Sequence, residues 1–127
     1  MSFTNAFETH VLNYLFTATS VTRPTAWHLA LHTADPTESG SSSNELSGNG
    51  YTRKVVSWTV SGNNCSNTSA VEFPTATGSW GTVTHVSVMD ASTGGNMIAS
   101  SALSVSKAVT SGDVLRFNAG ELDINLD

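Results

Sequence analysis

Residues 25–33 read TAWHLALHT, and their alternation decides the fold. Trp27, Leu29 and Leu31 fall on one side of an extended chain. Ala26, His28, Ala30 and His32 fall on the other. A period of two is the signature of a strand with one apolar face. Pro24, just before it, blocks helix on that side. Downstream, residues 34–50 read ADPTESGSSSNELSGNG, rich in Gly, Ser and Asn. They predict a long loop, and a loop of that length in a small domain is usually functional or mobile.

The same period recurs beyond the loop. YTRKVVSWTV at 51–60 reads as the strongest strand, and TVTHVSVM at 82–89 as another. MIASSALSVSKAV at 97–109 reads as a strand pair or one bent strand. The closing ELDINLD alternates through Leu122, Ile124 and Leu126. Turn residues separate these runs: SGNN, DASTGGN and TSGD. Short strands at this spacing predict a mainly β, antiparallel β-sandwich or jelly-roll. A single domain is expected over residues 1–127, with a helix and connection over 1–20.

The helix is read at 3–16, where Phe3, Phe7, Val11 and Leu15 repeat every four residues. Asn5 and Glu8 stand at capping-box spacing, with Ser2 a competing N-cap. The stripe packs on the chain's own sheet or docks on a neighbouring subunit.

Charge narrows the function. The net charge is −5, only 12% of residues are charged, and the five Lys and Arg are scattered. Nucleic acid and anionic membrane need clustered cations, so neither is an expected partner. Cys65 is the single cysteine, so no internal disulfide forms. The first residues show neither a basic leader nor a long apolar run, and the expectation is a reducing cytosol during folding, with no export signal.

Tests for chemistry come out negative. His28 and His32 share a strand face but lie about 13 Å apart along it, too far for one metal ion. There is no Gly-x-Ser-x-Gly elbow and no phosphate loop. Asp35, Glu38 and Glu45 do not match an EF-hand loop. No catalytic, metal or cofactor residue is assigned. Core packing is the default for Trp27, Trp58 and Trp80, and Trp80, between Ser79 and Gly81, is the best candidate for an exposed anchor at a sheet edge.

Several segments together resemble a known family. ALHTADPT, ELSGNGYTR, FPTATGSWGTVTH and the closing SGDVLRFNAGELDINLD look like small bacteriophage structural proteins usually labelled phage tail fibre protein. The resemblance runs over nearly the whole chain and implies a non-enzymatic virion component. A receptor-reaching fibre normally has a shaft of repeats or heptads, and this chain has neither. In build it is similar to the β-rich cement proteins of phage capsids. The first reading is therefore a capsid decoration protein, a homotrimer bridging major capsid protein subunits on the capsid surface. A second cement or tail protein is a further expected partner. The alternative is a tail or tail-fibre-associated module for host attachment. Phe3, Phe7, Val11, Asp35, Glu38, Glu45 and Trp80 are the expected contacts, the carboxylates meeting Arg or Lys of a partner.

Overall fold

A computed structural model describes residues 1–126. Ten strands and one helix follow in chain order: β1 Ser2–Phe3, α1 Asn5–Phe16, β2 His28–His32, β3 Lys54–Val55, β4 Trp58–Ser61, β5 Asn64–Asn67, β6 Val71–Glu72, β7 Gly81–Met89, β8 Met97–Val109, β9 Arg116–Phe117 and β10 Asp123–Asn125. The fold is mainly β, every pairing is antiparallel, and the predicted N-terminal helix is present. The strands form a five-stranded sheet in the order β1-β8-β7-β2-β3, a three-stranded sheet β10-β5-β4 and a two-stranded sheet β6-β9.

The main core joins these sheets. Leu29, Leu31, Val86 and Val88 of the large sheet pack with Val56, Val71, Phe73, Leu115, Phe117 and Leu122 from the smaller sheets and their connections. Phe73 and Phe117 meet edge to face at 6.3 Å, a favoured aromatic geometry.

β2 is buried on both faces. Leu29 through His32 are all inaccessible, where alternation predicted one wet face. The second face is a smaller core of Ala30, Met89 and Met97. The 34–50 loop closes it. From the end of β2 the chain runs past β7 to the start of the helix, where the Asn5 amide donates to the Glu38 carbonyl at 2.9 Å. Pro36 is among the most completely buried residues. Gly40, at φ +71°, sits so close that a Cβ there would lie 3.3 Å from both Met97 and Thr4. A side chain at Gly40 would crowd both neighbours and force a left-handed backbone on an L-residue. The loop then returns to β2, with the Leu46 amide donating to the Leu31 carbonyl and Glu45 bridging His32.

Three local expectations are corrected. The helix starts at Asn5, not at residue 3, and Phe3 belongs to β1. Thr4 is the N-cap, and its hydroxyl donates to the Met97 carbonyl at 2.7 Å instead of capping the helix. The Asn5–Glu8 capping box does not form, because the chain's attachment to β8 sets the first helical residue. The 51–60 run is not one strand. β3 pairs with β2, Val56 is buried, and β4 joins the other sheet against β5. One apolar run thus serves both layers. The 97–109 stretch is a single bent strand, with pairing irregularities against β7 at Val83/His85 and Val88/Met89.

Candidate interaction surface

The 34–50 loop was expected to offer carboxylates to a partner. Glu45 does not. Its carboxylate accepts from Arg53 Nε and Nη2 at 2.8 and 2.7 Å, and from the Tyr51 hydroxyl at 2.8 Å. Tyr51 in turn accepts the Leu31 amide at 3.1 Å. Arg53 Nη1 donates to the carbonyls of Ala91 and Gly94 at 2.9 and 2.8 Å. The Arg53 and Glu45 side chains keep 6% and 15% exposure. The cation that Glu45 meets is therefore internal. One guanidinium clasps the 34–50 loop to the 90–96 turn in bidentate geometry. The turn itself needs Gly95, where a Cβ would fall 2.5 Å from the Asp90 carboxylate. Asp90 is occupied there, accepting the Asn96 amide at 2.7 Å.

Burial pushes the Glu45 carboxyl up. The Arg53 and Tyr51 hydrogen bonds outweigh it and hold the group below its ordinary 4.5. Burial and the neighbouring carboxylate push the Tyr51 phenol well up. None of these groups is poised for proton transfer near neutrality.

His32 is fully buried beside the clasp, its Nε2 within 2.7 Å of Ser87 Oγ. Its Nδ1 is buried without a hydrogen bond. Burial, helped by the positive charges of His85 and Arg53 and opposed by the Glu45 charge, holds its pKa below the ordinary 6.5. The pairing places His85 directly opposite His32, which no sequence spacing indicates. No group of three or more His, Cys, Asp or Glu is clustered to hold a metal among the described residues.

The sign of the acid response follows. At pH above 6.5 His32 is neutral folded and unfolded and contributes nothing. Below 6.5 the unfolded chain takes up a proton that the folded chain refuses, so stability falls as pH drops toward the folded pKa. Glu45 adds a second loss, beginning as pH falls below 4.5. Thermal melts from pH 8 to pH 4 should show the first loss with a slope of at most about 1.4 kcal/mol per pH unit. His32→Gln should remove that slope, whatever it does to stability at pH 8. An unchanged slope would assign the acid response elsewhere.

The other predicted contacts are dispersed. Asp35 Oδ1 accepts the Thr37 amide at 2.8 Å and shapes the turn, where Thr37 takes φ +62°. Glu38 is exposed and uses only its backbone, to hold Asn5. Phe3 is half-buried and Phe7 is 7% exposed in the core. Trp80 is corrected outright. It is 5% exposed, donates from Nε1 to the Asn49 carbonyl at 2.8 Å, and packs edge-on against Tyr51. An indole with its N–H satisfied inside the protomer is a core element, not a free anchor.

The exposed apolar surface lies at the far end of the stripe, around Leu15 and its neighbour Tyr14. Past Val11 the helix leaves the body. Leu12, Tyr14, Leu15 and Phe16 are 59%, 76%, 63% and 78% exposed. Residues 17–27 then run back to β2 with no helix or strand. Helix and return connection form an arm held at its start by Thr4 and Phe7 and at its end by Trp27, which packs against the main core. Two concave regions complete the surface. One, of about 520 Å³, lies between the outer half of β8 and Arg116, Phe117 and Glu121. The other, of about 570 Å³, is walled by Phe3, Trp27, Trp58, Val60, Ile98 and Ile124. Cys65 lines the second, and burial pushes its thiol up, away from reactivity.

The surface offers exposed apolar side chains on the arm and two concave regions. No curated protein matches the chain. The family model described as podophage GP4 fiber I protein gp80 matches residues 2–125, and the chain belongs to this family of phage structural proteins of the fibre type.

Proposed function

We propose that this protein is a fibre-associated module on the phage virion surface, acting by contact rather than catalysis. The helical arm carries the reading: four large apolar side chains stand exposed along the last turn of its helix. Isolated apolar side chains on a surface are ordinary, but four on one projecting turn mark a contact site. The family description supports the fibre assignment ahead of the capsid one. The assembly is a homotrimer. Asp35 and Glu38, exposed at the loop, add polar contacts with a neighbouring virion protein.

Capsid decoration, with the major capsid protein as partner, is the second reading. What favours it is build: the described residues form short strands in packed sheets, with neither a heptad helix nor a repeating shaft. A cement protein works by mass action, since a partner bound only to the assembled shell opposes disassembly.

Copy number separates the two. Quantitative mass spectrometry of purified virions, with immunogold labelling, should find a small number of copies confined to the tail end. A ratio to the major capsid protein near one or a simple fraction, with label over the head, would replace the fibre reading with the decoration one.

A further inference from the structure

We propose that the exposed tip of α1 inserts into the apolar groove between the sheets of a second copy of this chain, giving a head-to-tail contact. The inference goes beyond the virion location argued above and uses only this chain's own surfaces. Tip and groove are of opposite shape. The tip presents Leu12, Tyr14, Leu15 and Phe16, each more than half exposed. The groove, of about 570 Å³, is walled by Phe3, Trp27, Trp58, Val60, Ile98 and Ile124. That volume lies in the range of built binding sites, and it admits two or three large side chains.

Charge agrees with shape. The last turn of α1 carries no basic residue, so its free carbonyls present the negative end of the helix dipole. Arg23 stands at the groove. A tip seated in the groove brings its carbonyl end toward that guanidinium.

Phe7 at the helix root packs into the main core, and the four residues of the tip are exposed rather than seated in the protomer's own groove, whose lining includes none of them. A helix of twelve residues is a rod of about 18 Å, long enough for its tip to meet a neighbouring copy. The area is adequate. Two aromatic and two leucine side chains offer roughly 500 Å². With the groove wall this makes roughly 1,000 Å², the lower edge of a specific interface. Because tip and groove differ, the contact is heterologous, and a cyclic assembly is its closed form.

The test uses the purified full chain and is independent of the virion, so its failure leaves the fibre assignment standing. Light scattering after gel filtration across a concentration series should give the wild type as a multiple of 13.3 kDa. Phe16→Glu and Val60→Glu change residues that are 78% and 73% exposed, so both variants should keep the wild-type circular dichroism spectrum. Each alone should be monomeric. An equimolar mixture should recover a one-to-one heterodimer, since one variant keeps an intact tip and the other an intact groove. A wild type that is monomeric throughout overturns the proposal. So does a Phe16→Glu variant that still assembles. A Val60→Glu variant that still assembles points instead to tip-to-tip pairing, and a mixture that stays monomeric denies the complementarity.

Discussion

Arg53→Ala is expected to lower the free energy of unfolding by about 3–5 kcal/mol, the range for stranding one partner of a buried ion pair. Three losses coincide. The Glu45 carboxylate, 15% exposed, loses two charge-assisted bonds and stays in a poorly hydrated site. The carbonyls of Ala91 and Gly94 lose their donor. The 34–50 loop loses its tie to the 90–96 turn, and with it part of the cover over Ala30, Met89 and Met97. A domain is stable by only about 5–15 kcal/mol in total, so this is a large fraction. With a urea dependence of about 1–3 kcal/mol per molar, the midpoint should fall by more than about 1 M. Hydrogen exchange should rise in 34–50 and 90–96 before it rises in β7. Removing both partners, Arg53→Met with Glu45→Gln, should cost less than the sum of the single changes, because no stranded charge remains. A loss within about 0.5 kcal/mol for Arg53→Ala, the range of an ordinary surface change, would mean that the loop is held by other contacts.

Trp80→Ala is expected to cost a similar amount, about 3–5 kcal/mol, through cavity formation in a packed core. The ring is 5% exposed, stacks edge-on with Tyr51 at 5.6 Å, and holds the Asn49 carbonyl. The melting temperature should drop by about 10 °C or more for a domain of this size. Trp80→Phe keeps most of the ring and loses the indole hydrogen bond, at about 1 kcal/mol, because the Asn49 carbonyl still accepts the Thr77 amide at 3.0 Å. These variants separate a core role from an interface role. An exposed anchor would show the reverse: weakened assembly at unchanged melting temperature.

Trp80 also shows why its sequence reading went astray. Flanked by Ser79 and Gly81, it looks like a residue at a sheet edge. Gly81 does stand at the first position of β7, with φ +75°. What no local pattern carries is that the Gly48–Gly50 turn, some thirty residues upstream, folds across it. Glu45 was misread for a related reason. Its cation is eight residues away, beyond a turn whose shape is set by Gly48 and Asn49 at positive φ. Only closure of the turn brings the two together. The stripe Phe3, Phe7, Val11 was legible as apolar, and the first part of it packs on the protomer itself. The exposed continuation through Leu12 to Phe16 is visible in sequence as apolar residues on neighbouring helical positions. Their exposure is decided by where the body ends.

The sequence by itself determined the fold class, the antiparallel β character, the N-terminal helix, the turns at Gly94-Gly95 and near Gly112, and the family. These rest on period, turn chemistry and local word matches, each contained in a few neighbouring residues. The tertiary structure alone decided that 51–60 splits between two sheets, that β2 is buried on both faces, that Arg53 consumes Glu45, and that His32 faces His85. Each of these is a meeting of segments distant along the chain. The physical reason is that an extended chain's period reports which side chains share a face, and not what will cover that face once the loops have closed.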